Sequence, residues 1–210
     1  YTRNFLKGIQ MKRKPFYNLL LQGFGYIVLG NFLCLFMTMA LTMFATNLDF
    51  YGSEVVFNML AILCGTLIFF MLMFTVAWKD GARERSLVRN HRVEAPLPRR
   101  WIWLGLIMFA IAALPSVVLL LNKLFFPQAD TFLVYRFVSG SAYPFIQTFV
   151  PMPELAEKAW VATDFRQIDI MSPLFPALMI LYYAIIPAVT QLGWYVGYTD
   201  KFNTEKMIYK

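Results

Sequence analysis

Arginine is the side chain whose spacing in this sequence is best suited to recognition. Arg83, Arg85, Arg89 and Arg92 fall in one short basic run. If that run is helical, the i, i+4, i+7 spacing sets Arg85, Arg89 and Arg92 on one face, with Val88 on the same stripe and Ala82 beside it. Guanidinium groups match phosphate and carboxylate geometry. This face therefore suits anionic lipid headgroups or an acidic groove on a partner protein. Glu84 and Glu94 temper its charge. Arg83, Arg85, Arg89 and Arg92 are the expected docking residues.

Nucleophilic and metal chemistry have less to draw on. The sole histidine, His91, has no Cys or acid at ligand spacing and no Ser or Asp arrangement for a triad, so it reads as a surface residue. Cys34 and Cys64 lie in apolar stretches with no C-x-x-C or Cys/His pair, and read as ordinary buried thiols. Glu154, Glu157, Asp164 and Asp169 are the densest acids away from the arginines, but Lys158 and Arg166 sit among them. Solvated ion pairs are expected there, rather than a catalytic pair or a cation site. No G-x-x-x-x-G-K-[ST] run is present. No catalytic residue, metal or cofactor is expected.

The elements that must position these groups follow from composition. At 59% hydrophobic and 15% charged, the chain is too apolar for a soluble domain. A nucleic-acid-binding domain and a disordered tail are excluded on the same ground. The charges fall in five blocks, leaving residues 15–48, 55–78, 101–122 and 170–199 uncharged. Each stretch reaches the roughly 20 apolar residues that cross about 30 Å of hydrocarbon. The expected fold is an all-α integral membrane protein with transmembrane helices at 20–46, 55–78, 101–123 and 174–198. One membrane domain fills 1–210, with an arginine-rich loop at 79–100 and an extracytoplasmic segment, a small cap, at 124–173.

Orientation follows from the basic residues, which collect on cytoplasmic flanks. Residues 1–14 carry Arg3, Lys7, Lys12, Arg13 and Lys14 with no acid, and the run 79–100 carries seven basic residues against three acids. With the tail 199–210, fifteen of the 19 Lys and Arg residues lie on one side. The basic amino terminus, 1–19, and the tail are therefore both expected in the cytoplasm. Trp78, Trp101, Trp103 and Trp194 fall at the same ends of the spans, where headgroups meet hydrocarbon. The first apolar run is too long for a signal peptide and is read as a retained helix. The chain starts at Tyr1 without Met, so a few further leading residues are expected.

No Asp, Glu, Lys, Arg or His lies within the spans except Lys123 at the end of the third, which removes the usual marks of proton relays and ion pathways. Their polar residues, such as Asn31, Thr38, Thr42, Thr75, Ser116, Thr190 and Gln191, read as hydrogen-bonding glue between helices or back to a local carbonyl. Gly23 and Gly30 share a face of the first span, and Gly193 and Gly197 form a G-x-x-x-G in the fourth, so all four are assigned to helix packing. Pro187 with Gln191 is the candidate for a broken helix lining a cavity. Residues 137–153 are uncharged but interrupted by Gly140 and Pro144, which suits an interfacial or partly re-entrant segment. Met152–Ala162 reads as a short amphipathic helix.

The run Gly81-x-Arg83-Glu84-Arg85-x-Leu87-Val88, with a last span ending Gly193-x-x-x-Gly197-Tyr198, resembles small four-span membrane proteins of Gram-positive bacteria that have no assigned activity. The similar parts cover about a third of the chain. The resemblance implies a bacterial plasma membrane and carries no site residues with it.

These features lead to a non-enzymatic subunit or accessory protein of a larger membrane assembly, such as a transporter. Its expected partners are other membrane subunits or further copies of itself, and anionic lipids at the cytoplasmic face, with no nucleic acid. The second reading is an oligomeric carrier or channel for a neutral or lipid-like substrate. The third is a membrane enzyme using the outer carboxylates.

Overall fold

A computed structural model of the chain describes residues 13–46, 53–126, 131–150 and 171–199. Regular structure in these residues is helical throughout: α1 (Phe16–Thr46), α2 (Ser53–Arg89), α3 (Arg99–Phe125), α4 (Phe132–Val138), a 3-10 turn (Gly140–Ala142), α5 (Tyr143–Phe149), α6 (Leu174–Tyr183) and α7 (Ile186–Thr199). Four segments are long and apolar enough to cross a membrane: Phe16–Phe44, Val55–Arg89, Arg99–Phe125 and Leu174–Thr199. The protein is a multi-pass membrane protein, all-helical in its described residues. Its apolar side chains do not sort to one side, as a bilayer allows: Phe24, Phe32, Leu63, Leu67, Val118 and Leu181 are exposed while Phe69, Met73, Met108 and Leu119 are buried.

The second span departs from its expected end. Helix α2 does not stop at Trp78 but runs through Arg89, about 16 Å further at 1.5 Å per residue. Seven of the eleven residues there favour helix, three Arg with one each of Lys, Ala, Glu and Leu. They also continue the buried stripe of Phe69, Met73 and Val76 into Asp80, Glu84 and Leu87. The stop is a Schellman motif. His91 takes a left-handed φ of 51°, its N–H donates to the Val88 carbonyl at 3.0 Å, and the Arg92 N–H donates to the Leu87 carbonyl at 3.0 Å. Arg92 therefore lies beyond the helix, and the single face expected for Arg85, Arg89 and Arg92 does not extend to it.

The fourth span is two helices. Pro187 has no amide proton for the Tyr183 carbonyl, so the α-helical ladder ends and the turn tightens at Ala184 and Ile185. The Ala184 N–H reaches the Ile180 and Leu181 carbonyls at 3.1 and 3.2 Å, and the Ile185 N–H reaches that of Tyr182 at 3.4 Å. Placed second in α7, Pro187 then costs that helix nothing.

The described part of the segment joining α3 to α6 packs into the four spans. The 3-10 turn lies on α1, and α5 packs on α2 as well as on α1. Gly140 makes this possible, because a Cβ there would overlap the Asn31 carbonyl. Asn31 is about 22 Å along α1 from Phe16, so this turn sits at mid-bundle. The expected helix at Met152–Ala162 falls outside the described residues.

Candidate functional site

The first polar centre lies at the basic end of the bundle. Asp80 and Glu84 are one helical turn apart on the inward stripe of α2, only 7% and 4% exposed. A buried carboxylate needs donors around it. The Trp101 indole N–H donates to Asp80 Oδ2 at 3.0 Å, and the Trp194 indole N–H donates to Glu84 Oε2 at 3.0 Å. Glu84 Oε1 also accepts the Leu97 N–H at 3.1 Å and pairs with Arg13 Nη2 at 3.0 Å. Arg13 donates onward to the Ala95 carbonyl and Arg100 to the Lys14 carbonyl. The Lys14 ammonium reaches Gln22 Oε1 at 3.1 Å. One carboxylate thus joins the residues before α1, helix α2, the 90–98 connection and α7.

Three glycines let α7 reach this centre. A Cβ at Gly81 would overlap the Trp194 carbonyl, one at Gly197 would overlap the Trp78 carbonyl, and one at Gly193 would stand 2.6 Å from the Phe74 carbonyl. The α2–α7 seam is the most extensive helix pairing in the protein, and this close approach brings Trp194 over Glu84. Trp194 is held further by Tyr198, whose ring stacks on it at 5.2 Å and 8°.

The second polar centre is a hydroxyl cluster at mid-bundle. Asn31 Oδ1 accepts the Ser141 N–H at 3.0 Å and the Ser141 O–H at 2.7 Å. Since the Ser141 proton is spent there, the Tyr183 hydroxyl is the donor in its 2.9 Å bond with Ser141 Oγ. Beside it, Ser116 and Tyr135 share a bond of 3.1 Å. Ser116, Ser139, Ser141, Tyr135 and Tyr183 are all buried, so this cluster joins α1, α3, α4, the 3-10 turn and α6 without a formal charge. Three threonines turn back on their own helices. Thr38, Thr75 and Thr190 donate to the carbonyls of Cys34, Met71 and Ile186.

Two apolar crevices flank the cluster. One, of about 410 Å³, lies between α5 and α6 and is walled by Phe145, Phe149, Phe175 and Tyr182. The other, of about 320 Å³, lies between α1, α3 and α4, with Asn31 in its wall.

The residues singled out from sequence are placed as follows. Arg83 and Arg85 are half-buried, while Arg89 and Arg92 are exposed. Gly23 packs on Met108 and Gly30 on Phe69; Gly193 and Gly197 lie on the α2 backbone. Pro187 packs against Gly105. Gln191 is half-buried, with its Oε1 shut away from any donor among the described residues. Pro187 and Gln191 line neither crevice. Glu154, Glu157, Asp164 and Asp169 lie outside the described residues. The sequence reading missed the inward direction of Asp80 and Glu84 and the pairing of Asn31 with Ser141. The first had a signal, because both acids fall in step with Phe69, Met73 and Val76. The second had none, since Asn31 and Ser141 are far apart in the chain. Comparison with protein families, with curated proteins and with solved structures finds no match for this chain.

Proposed function

We propose that this protein is a non-catalytic subunit or accessory factor of a larger assembly in a bacterial plasma membrane, with both termini and the basic end in the cytoplasm. The observation that carries this reading is the direction of the charges at that end. Asp80 and Glu84 turn inward, while Lys79, Arg89, Arg92 and Arg99 are exposed and, among the described residues at that end, only Glu94 opposes them at the surface. The outward charge therefore exceeds what the sequence sum suggests. Because α2 extends about 16 Å past Trp78, Arg89 stands beyond the headgroup layer, within reach of an acidic protein surface. Anionic lipids take the basic residues nearer Trp78. Phe69, Met73, Trp101, Met108 and Ile146 are fully buried, a packed interior that favours docking at the outer surface.

The test is charge reversal at Arg83, Arg85, Arg89 and Arg92 to Glu, followed by purification in mild detergent and native mass spectrometry. Loss of a stoichiometric partner with the fold intact is the expected result. Unchanged co-purification would overturn the reading. One observation favours the second reading, an oligomeric carrier for a neutral or lipid-like substrate. The break at Ala184 and Ile185 and the buried hydroxyls meet at mid-bundle, where transporters place irregular backbone. Substrate-dependent flux in liposomes holding only this chain would select it.

A further inference from the structure

The crevice between α1, α3 and α4 differs from an ordinary lipid-facing groove in having an amide in its wall. Its lining is otherwise apolar, including Val28, Phe32, Ile111, Pro115 and Phe137. Asn31 Oδ1 is committed twice to Ser141, which fixes the amide's orientation. The Asn31 amide nitrogen has no acceptor among the described residues and is left to the crevice that the residue lines. Amide protons at mid-bundle in hydrocarbon are costly without an acceptor. Water is scarce at that depth, and lipid ester groups lie near the surface. An apolar cavity of 300–1,000 Å³ with one placed polar group is the usual form of a small-molecule site, and this one is about 320 Å³.

We infer that this crevice binds a neutral, membrane-dissolved molecule that sets one hydrogen-bond acceptor, a carbonyl or ether oxygen, against the Asn31 amide and an apolar ring or chain between Phe32 and Phe137. The site is walled by three helices and is too small to seat a transmembrane helix. Both observations favour a compact ligand over a partner subunit. The inference does not depend on the assembly proposed above.

Benzophenone is the probe, because it carries one carbonyl on an apolar aromatic body and crosslinks on irradiation. The full chain is reconstituted in phosphatidylcholine nanodiscs, irradiated with limiting probe, and mapped by peptide mass spectrometry. Label concentrated on α1 and α3 peptides that line the crevice, and competed by excess acetophenone, is the expected result. Asn31→Leu should reduce that label about fivefold to tenfold, the loss of one neutral hydrogen bond. Because this substitution also removes the acceptor for Ser141, Val28→Trp is the second variant. It keeps the Asn31–Ser141 bond, fills the crevice and should abolish the label, whereas Leu121→Trp on an exposed face should not. If Asn31→Leu does not fold, Val28→Trp decides. Label spread evenly over exposed helices, or unchanged in folded variants, would overturn the inference. So would protection of the crevice that rises with protein-to-lipid ratio, because a second copy would then be its occupant.

Discussion

Glu84 shows how much one side chain can carry. It is 4% exposed and holds a guanidinium, an indole N–H and a backbone N–H at about 3 Å. Removing it leaves the buried Trp194 indole N–H without its acceptor and the half-buried Arg13 with the Ala95 carbonyl but no charge partner. Glu84→Ala should therefore cost about 2–4 kcal/mol, the loss of the indole and backbone hydrogen bonds and of a part-exposed ion pair. Glu84→Gln keeps the shape and one acceptor oxygen, but its NH2 then faces either the Trp194 indole N–H or the Leu97 and Arg13 donors, so it should cost about 1–3 kcal/mol. Thermal unfolding in detergent would separate the two. His91 makes the opposite case. Its left-handed φ strains any residue with a Cβ, and its side chain is exposed. His91→Gly should raise stability by about 0.5–1 kcal/mol in the same measurement. A loss would mean that the imidazole makes a stabilising contact within the chain that outweighs the backbone strain.

At the scale of elements, α2 and α7 show why composition could bound the helices and not end them. The uncharged run stops at Trp78, but helix ends are made by capping geometry rather than by the end of apolar sequence. Here the last turn closes at His91 through bonds to Leu87 and Val88. The α2–α7 seam depends on glycines whose place in the sequence was visible and whose partner was not. Gly193→Val would drive two methyl groups against the Phe74 carbonyl and the Ala77 side chain. It should cost about 1–3 kcal/mol by overpacking and move Trp194 off Glu84. Lower thermal stability together with a shift in tryptophan emission would report both effects. Unchanged emission would show that the indole is held by Tyr198 alone.

At the scale of the whole molecule, orientation needs an asymmetry beyond the spans themselves, because four apolar helices are equally stable either way up in hydrocarbon alone. The basic residues supply the asymmetry. Arg92→Cys, exposed beyond α2, should react with a membrane-impermeant maleimide in inside-out vesicles and not in intact cells. Labelling in intact cells would reverse the proposed topology and place the basic end outside.

The sequence by itself determined the number of spans, their approximate positions and the side on which charge accumulates, because these depend on the hydrophobic length and composition of single helices. It also marked Gly23, Gly30, Gly193 and Gly197, since small residues in apolar helix permit close approach wherever the partner is. It carried the break at Pro187 as well, a local consequence of a missing amide proton. Which charges face inward was decided by the tertiary structure. Asp80 and Glu84 are buried only because Trp101, Trp194 and Arg13 arrive from other parts of the chain, and a hydrogen bond needs both partners in place. Asn31, Ser141 and Tyr183 meet for the same reason. The crevice beside them exists only where α1, α3 and α4 fail to fill the space between them.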